Sequence, residues 1–261
     1  MAYWKDTWKF PDSIEHEYKF AGKYGAKGEK RAKKKKITKE QIANQNQQNR
    51  EKRMRRLMKE NFSPGDLWTT LKYPAGTRKE IKEVDRDREK FLSAMRRAYA
   101  KRGQPFKYIY RIEIGAKGGI HIHMVINRLD GDTDLLIQEK WPHGRVNFEN
   151  IYKSGGYKDL AAYIVKQPNE EQNEQLSLFP EEERKKLIKT GSSRNLVRPE
   201  PERKKYTRRT MRKVIEEGPK PTPGYYIDKD SIVQGVNPYT GMSYLYYTEY
   251  RLKEWSRRKG G

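Results

Sequence analysis

A carboxylate and two imidazoles, the side chains of Glu113, His121 and His123, lie within the stretch Phe106–Asn127. Two runs of alternating apolar and polar residues flank a glycine-rich centre there, and this pattern predicts a β-hairpin. With the turn at the glycines, Glu113 faces His121 across the hairpin, and His123 shares their face because side chains alternate along a strand. Opposed Cβ atoms are roughly 4.5–5.5 Å apart, so the three side chains can meet.

One carboxylate and two imidazoles with open positions suit an octahedral divalent ion, and we expect Mg²⁺ or Mn²⁺. Two other interpretations stay open. A His-x-His pair is also common on an exposed polar strand without a metal, and His143, in the turn Trp141–Gly144, is an alternative ligand. The opposite hairpin face predicts core packing, since apart from one phenol it carries only apolar residues: Tyr110, Ile112, Ile114, Ile120, Ile122, Met124 and Ile126.

A candidate nucleophile and a cation occur one helical turn apart in the predicted helix Tyr157–Gln167. Tyr163 and Lys166 are three residues apart and therefore neighbours on its surface. A free phenol has a pKa near 10, so only about one in a thousand is ionised at neutral pH. Lys166 could favour the phenolate or neutralise charge on a phosphate. Tyr163 could instead be an ordinary half-buried residue, and Tyr157 and Tyr152 are the rival nucleophiles.

The order of predicted elements between residues 66 and 167 is β-α-β-β-α-β, followed by a helix. This is the split βαβ plan of ferredoxin-like folds, an antiparallel α+β sheet in which the histidine strand is central. One sheet face packs on helices, and we expect the other face, with the metal ligands, to be open for catalysis. The side chains that we expect to contact DNA there are Trp68, Thr70, Lys72 and Arg111.

Composition points to a polyanionic partner, because the 261 residues carry a formal net charge of +23. The chain has no cysteine, which fits a reducing, cytoplasmic location, and no apolar run that could span a membrane. We expect three regions: a basic N-terminal arm and helix (1–62), a catalytic domain (63–200) and a basic, aromatic C-terminal extension (201–261). The low apolar content favours one core with polar extensions.

The flanking regions have their own patterns. Residues 1–37 look irregular, and Lys27–Lys36 has seven basic residues in ten. We expect the arm Lys23–Lys39 to be solvated, to contact phosphates without sequence preference, or both. The acidic segment 168–183 is typical of a linker, and Tyr225–Arg251 predicts a β-hairpin or an added strand pair that forms a C-terminal β-prone appendage.

Three motifs in order resemble those of rolling-circle replication initiators of the HUH endonuclease superfamily. Leu67–Tyr73 is similar to the first motif, His121–His123 to the His-hydrophobe-His motif, and Tyr163–Lys166 to the Tyr-x-x-Lys motif. Glu113, eight residues before His121, matches the third metal ligand of several such proteins. The resemblance covers about residues 60–200, and the two-tyrosine version of the last motif is absent because Asp159 and Gln167 occupy the positions four residues away.

The resemblance implies a metal-dependent tyrosine nickase and strand-transferase that starts rolling-circle replication of a plasmid, phage or mobile element. The expected steps are a site-specific nick in single-stranded origin DNA, a covalent 5′-phosphotyrosine at Tyr163 and a free 3′-hydroxyl that primes synthesis. It also implies a separate helicase and polymerase as partners, with no membrane and no small-molecule cofactor. A bacterial host cytoplasm is the expected location.

Other functions fit the same residues. A relaxase or a transposase would use the same chemistry, and the sequence does not separate them from a replication initiator. A non-catalytic single-stranded nucleic-acid-binding protein could use the same open sheet with aromatic side chains. A basic scaffold protein would also explain the charge. The last two alternatives leave Glu113, His121, His123, Tyr163 and Lys166 without a joint purpose.

Overall fold

The computed structural model describes residues 2–22, 38–77, 79–115, 117–151, 157–237 and 240–252. It divides the chain into two compact units. Residues 40–198 form the central unit, and residues 1–39 together with 199–261 form the terminal unit. The domains expected from the sequence follow one another along the chain, whereas the terminal unit gathers residues from both chain ends.

The central unit is an antiparallel sheet with helices on both faces. Its strands are β3 (Leu67–Lys72), β4 (Tyr108–Ile114), β5 (Ile120–Ile126), β6 (Val146–Asn150) and β7 (Thr190–Ser192). Its helices are α1 (Lys39–Asn61), α2 (Ile81–Lys101), α3 (Thr133–Lys140), α4 (Lys158–Val165), α5 (Glu170–Ser177) and α6 (Glu181–Leu187).

The strand order β6-β3-β5-β4-β7 confirms the α+β, ferredoxin-like prediction, with β5 between β3 and β4. The hairpin register is also as predicted, because Glu113 pairs with His121 and Arg111 pairs with His123. A shift of one residue would have turned both histidines into the core, so the apolar alternation alone specifies this register. Strand β7 adds an edge beside β4 that the sequence pattern did not predict.

Apolar residues cover both faces of this sheet. On one face, the predicted apolar side of the hairpin packs with α2, α3, Trp141 and residues of α5 and α6. On the other, Ile109 and Val125 pack against the C-terminal part of α1 and against Ala161 and Ile164 of α4. The prediction of an open catalytic face was therefore wrong in part, because these two aliphatic side chains alternate with the polar ones and need a covering layer.

Residues 168–183 are not a linker. They contain all of α5 and the beginning of α6, and Leu176 and Leu187 of these helices are buried in the core. The Asn169 side chain accepts a hydrogen bond from the Gln172 backbone N–H, which caps α5 at its first turn. Sequence composition missed these helices because each contributes only one large buried apolar side chain.

The terminal unit is a second antiparallel sheet, of order β10-β11-β2-β1-β8 with β9 also paired to β11. Its elements are β1 (Tyr3–Lys9), β2 (Ser13–Phe20), β8 (Glu202–Tyr206), α7 (Arg208–Glu217), β9 (Tyr225–Ile227), a short 3₁₀ turn (Lys229–Ser231), β10 (Val233–Asn237) and β11 (Met242–Arg251).

The two ends of the chain meet in this sheet, since β2 pairs with β1 and β11, and β1 also pairs with β8. The prediction that residues 1–37 are irregular was wrong for 3–9 and 13–20, which are strands. The β-prone prediction for Tyr225–Arg251 is confirmed, although its strands extend the sheet rather than form a separate appendage. Most of the predicted arm Lys23–Lys39 lies outside the described residues.

Within the described ranges, every helix is too short or too polar to cross a lipid bilayer.

Candidate active site

The carboxylate of Glu113 is the centre of a hydrogen-bonded cluster at the β4 end of the hairpin. The side chain is 5% exposed. Its Oε1 lies 2.7 Å from Lys166 Nζ and accepts a 2.5 Å hydrogen bond from Gln172 Nε2. Its Oε2 accepts a 2.5 Å hydrogen bond from the Tyr163 hydroxyl and lies 3.1 Å from His123 Nε2. Both oxygens are thus engaged, and four different elements or loops converge on one buried charge.

Tyr163 projects from α4 into this cluster. Its hydroxyl is 3.2 Å from His123 Nε2, in addition to its contact with Glu113. The indole of Trp68 stacks on the His123 ring at 5.4 Å and meets the Tyr163 ring edge-on at 5.7 Å. These ring contacts restrict the side-chain rotations of both residues, so the phenolic oxygen is held beside the predicted metal ligands.

Thr70 sets the orientation of the His123 ring. Its Oγ1 lies 3.1 Å from His123 Nδ1 across the β3–β5 pairing. The opposite nitrogen, Nε2, therefore points at Glu113 and Tyr163. Metal-binding histidines are commonly held in this way, with the second ring nitrogen engaged by a neighbouring polar group. The structure places Thr70 behind the predicted ligand, where it orients His123 instead of reaching DNA as we had expected.

His121 lies on the same face but farther towards the hairpin turn. Its ring centroid is 6.1 Å from that of His123, and an added Cβ at Gly119 would lie 3.8 Å from its Nε2. Burial lowers the pKa of His121, as do the neighbouring His123 and Lys72, while Glu113 acts in the opposite direction. A neutral imidazole has a free lone pair, which is the form that binds a metal.

The donor set fits a divalent ion by its chemistry, since it supplies one carboxylate and two imidazoles. As these side chains stand, no group of three His, Asp or Glu residues in the described part of the chain is arranged to hold one. Lys166 and Tyr163 occupy the oxygens of Glu113 that an ion would need. A metal would therefore compete with the ammonium and the phenol for the same carboxylate.

Lys166 follows α4 directly and folds back over the tyrosine. Its ammonium lies 4.0 Å from the centroid of the Tyr163 ring as well as against Glu113. The predicted adjacency of these two residues is confirmed, although α4 ends at Val165 and the lysine backbone is already extended. One cation thus links the predicted nucleophile and the predicted metal ligand.

The ionisation of the cluster is dominated by burial and by Glu113. Burial alone would raise the pKa of Glu113, but the hydrogen bonds from His123, Lys166, Tyr163 and Gln172 outweigh it, and the pKa lies well below its usual range. For Tyr163, burial and the Glu113 carboxylate both raise the pKa well above its usual value. The carboxylate is charged and the phenol protonated in this arrangement.

Arg111 does not contact DNA as predicted. Its side chain is 2% exposed, and Nη1 donates to the backbone carbonyls of Ile164 and Lys166, at 3.0 Å each. The last carbonyls of a helix have no partner within the helix, and this guanidinium satisfies them at the end of α4. Arg111 therefore anchors the turn that carries Tyr163 and Lys166, and its burial under α4 removes it from any exposed surface.

Gln172 is the member of the cluster that sequence reasoning missed. Its Oε1 accepts the backbone N–H of Asn169, which leaves Nε2 to donate to Glu113 and to the carbonyl of Ile114, the latter at 3.2 Å. The available signal was the pair Asn169 and Gln172, spaced as a helix capping box within a segment that we interpreted as a linker.

The remaining predicted residues are distributed around this cluster. Trp68 is half-buried in the ring stack described above, and Lys72 is half-buried opposite His121 on β3. The rival ligand His143 lies 3.6 Å from Asp87 and away from the cluster. The rival nucleophile Tyr157 is 2% exposed and donates to the Phe62 carbonyl, whereas Tyr152 lies outside the described residues.

Residues 66–168 match a family model of replication-associated proteins, the ORF2 family. The matched range contains every residue predicted from the sequence to act in the site, while Gln172 lies just beyond it. Comparison with curated proteins and with solved structures found no match. The family match supports a role in the initiation of rolling-circle replication.

Proposed function

We propose that the central unit nicks and rejoins single-stranded DNA through a covalent bond to Tyr163 and so initiates rolling-circle replication. The observation that carries this proposal is the position of the Tyr163 hydroxyl, in hydrogen-bond contact with both Glu113 and His123. A phenol with no chemical role gains little from burial beside a charged carboxylate. The family match favours replication over conjugative transfer or transposition.

The proposed reaction exchanges one phosphodiester for another. Tyr163 Oη attacks the phosphorus, a P–O bond to the tyrosine forms, and the bond from phosphorus to the 3′ oxygen breaks. The phenolic proton leaves along the hydrogen bond to Glu113 or His123, and the departing oxygen takes up a proton to become a 3′-hydroxyl. The reverse attack by a 3′-hydroxyl restores the DNA and frees Tyr163, so the phosphoryl bond energy is kept.

Glu113, His121 and His123 are the residues that would hold a Mg²⁺ or Mn²⁺ ion. Such an ion, when bound, would polarise the phosphoryl oxygens and help to position the scissile bond. Lys166, released from Glu113, would then be free to neutralise charge on the phosphate. Arg111 would keep the end of α4 in place throughout, because its contacts are to backbone carbonyls and do not depend on DNA.

Lys72 and Trp68 are the residues of β3 that we propose contact the DNA strand. A cation for the phosphate backbone and an aromatic ring beside it are typical of single-strand binding. The free 3′-hydroxyl would prime a polymerase, with strand separation by a helicase that is a separate protein. Both would be recruited to the nicked origin.

The test is a search for the covalent intermediate. The full-length protein is incubated with Mn²⁺ and single-stranded oligonucleotides that tile its cognate origin, and products are separated on a denaturing gel. We expect a protein–DNA adduct whose nucleotide maps to Tyr163 by mass spectrometry. Tyr163→Phe should bind the oligonucleotides and form no adduct, because it loses one oxygen and keeps the ring.

Tyr226→Phe is the matched control, since Tyr226 is a half-exposed tyrosine of the terminal unit. It should form the adduct at the wild-type rate. A non-catalytic single-strand binder would bind the oligonucleotides without any adduct under all conditions. An adduct on a tyrosine other than Tyr163 would show that the nucleophile is assigned to the wrong residue.

A further inference from the structure

The segment 203–213 of the terminal unit is a dense and exposed basic surface. It contains seven Lys or Arg residues among eleven, with no acidic residue. The segment consists of the edge strand β8 and the first half of α7, joined by the single residue Thr207. We call it the β8–α7 basic strip. Its charge cannot be a by-product of folding, because most of these side chains point to solvent.

Helix α7 presents opposite faces to the core and to solvent. Met211 is buried, and Val214 and Ile215 pack beside it against the aromatic core of the sheet. Arg209 and Arg212, three residues apart, are exposed and therefore adjacent on the outer face. The Thr207 side chain caps the helix by accepting a hydrogen bond from the Thr210 backbone N–H. The outer cations are thus held on a rigid, well-anchored helix.

Four cations of the strip have no carboxylate partner. Arg203 is paired with Asp6, and Lys213 lies 3.6 Å from Glu217. In the described part of the chain, no ion pair involves the cations in this list: Lys204, Lys205, Arg209 and Arg212. Unpaired like charges on neighbouring positions repel one another and cost stability, so their retention favours an external anion.

The aromatic residues of the strip are not free to stack on bases. The Trp4 ring, on the neighbouring strand, lies 5.1 Å from the guanidinium of Arg203 and 5.2 Å from the ammonium of Lys205. Tyr206 packs edge-on against Tyr18 at 5.7 Å. Single-strand binding usually combines cations with open aromatic rings, whereas duplex binding rests first on phosphate contacts.

We propose that the β8–α7 basic strip binds the phosphate backbone of duplex DNA. The strip would hold the double-stranded region beside an origin, without sequence preference, through Lys204, Arg209 and Arg212 in particular. This inference concerns the terminal unit alone and does not depend on the nicking chemistry proposed for the central unit. Either proposal can therefore fail while the other stands.

The test compares two triple variants of the full-length protein that remove the same charge. One replaces three strip residues (Lys204→Ala, Arg209→Ala, Arg212→Ala), and the control replaces three exposed residues of α2 (Lys90→Ala, Arg97→Ala, Lys101→Ala). Binding of a 30-base-pair duplex of arbitrary sequence is measured by fluorescence anisotropy over a salt titration. Each lost phosphate contact lowers the slope of log affinity against log salt by about 0.9.

We expect the strip variant to bind the duplex at least about tenfold more weakly at low salt, with a slope shallower by about 2 to 3. The control should change the slope by less than about 1. Alanine favours helix, so α7 should stay folded, which circular dichroism melting checks. A further variant, Arg209→Lys with Arg212→Lys, keeps the charge and should keep the wild-type slope.

Equal slopes for the strip and control variants would overturn the proposal, because the strip would then add only bulk charge. Two parallel titrations test the choice of ligand. If the strip variant loses affinity for a single-stranded 30-mer, or for phosphatidylserine vesicles, while its affinity for the duplex is unchanged, then the partner is not duplex DNA.

Discussion

The Tyr163 hydroxyl donates a 2.5 Å hydrogen bond to Glu113 Oε2, from a helix to a strand fifty residues earlier in the chain. The proposed nucleophile and a proposed metal ligand therefore share one oxygen atom. A cation that binds this oxygen must displace the phenol, and a phenol that leaves must find another partner. The two proposed roles are coupled by competition, and this coupling can be measured.

The first prediction follows from that competition. Tyr163→Phe removes the donor to Glu113 Oε2 and should make Mn²⁺ bind more tightly, by up to about tenfold if the lost hydrogen bond is worth about 1 kcal/mol. Isothermal titration calorimetry without DNA measures the change. Tyr226→Phe should bind Mn²⁺ as the wild type does. Weaker Mn²⁺ binding by Tyr163→Phe would mean that the phenol supports the ion instead of competing with it.

The second prediction concerns Gln172. Gln172→Met keeps the length of the side chain and removes the donor that holds Glu113 Oε1, so the carboxylate gains rotational freedom. Nicking should fall by about 10- to 100-fold, as is typical when the partner of a metal ligand is lost. The fall should be in kcat, with oligonucleotide affinity unchanged. Gln175→Met, on the same helix but without a contact to Glu113, is the control and should keep wild-type kcat.

Much of the central unit followed from alternation and spacing. The register of Glu113 against His121 and the central position of β5 could be predicted, because only one register buries the isoleucines. The approach of Tyr163 to this face followed from the order of elements in a ferredoxin-like sheet. These features depend on local pattern and on a common topology, both of which are legible in one sequence.

The features that were missed depend on contacts between distant segments. Alternation places Arg111 on a face, but it does not say which backbone will cover that face and need a donor. The strands β1 and β2 carry charged residues at many positions, and their partners β8 and β11 lie about 200 residues away in the chain. Pairing over such distances leaves little trace in local composition.

The third prediction separates the anchoring role of Arg111 from DNA contact. Arg111→Met removes the donor to two carbonyls of α4 and should lower the unfolding free energy by about 1–3 kcal/mol, since buried acceptors lose their partner. It should leave the salt dependence of single-strand binding unchanged. Lys72→Met should do the reverse, with normal urea stability and a slope shallower by about 1. A reduced slope in Arg111→Met would restore it as a DNA contact.

The last prediction rests on His16, which is buried in the terminal unit. Its Nδ1 is 3.1 Å from Thr7 Oγ1, its Nε2 is 3.3 Å from Glu249 Oε1, and its ring packs on Tyr247 at 4.7 Å. Burial and the positive charge of Lys5 lower the pKa of His16 to about 4, against the opposing effect of Glu249. The folded protein therefore keeps this imidazole neutral where the unfolded chain protonates it.

Because the folded pKa is the lower one, His16 contributes its full stability above about pH 6.5 and loses it as the pH falls towards 4. The loss over this window should reach about 3 kcal/mol in wild type. His16→Gln should show a shallower fall in urea stability between these pH values, and His143→Gln should keep the wild-type fall. An NMR titration gives the pKa directly, and a His16 value near 6.5 would contradict the prediction.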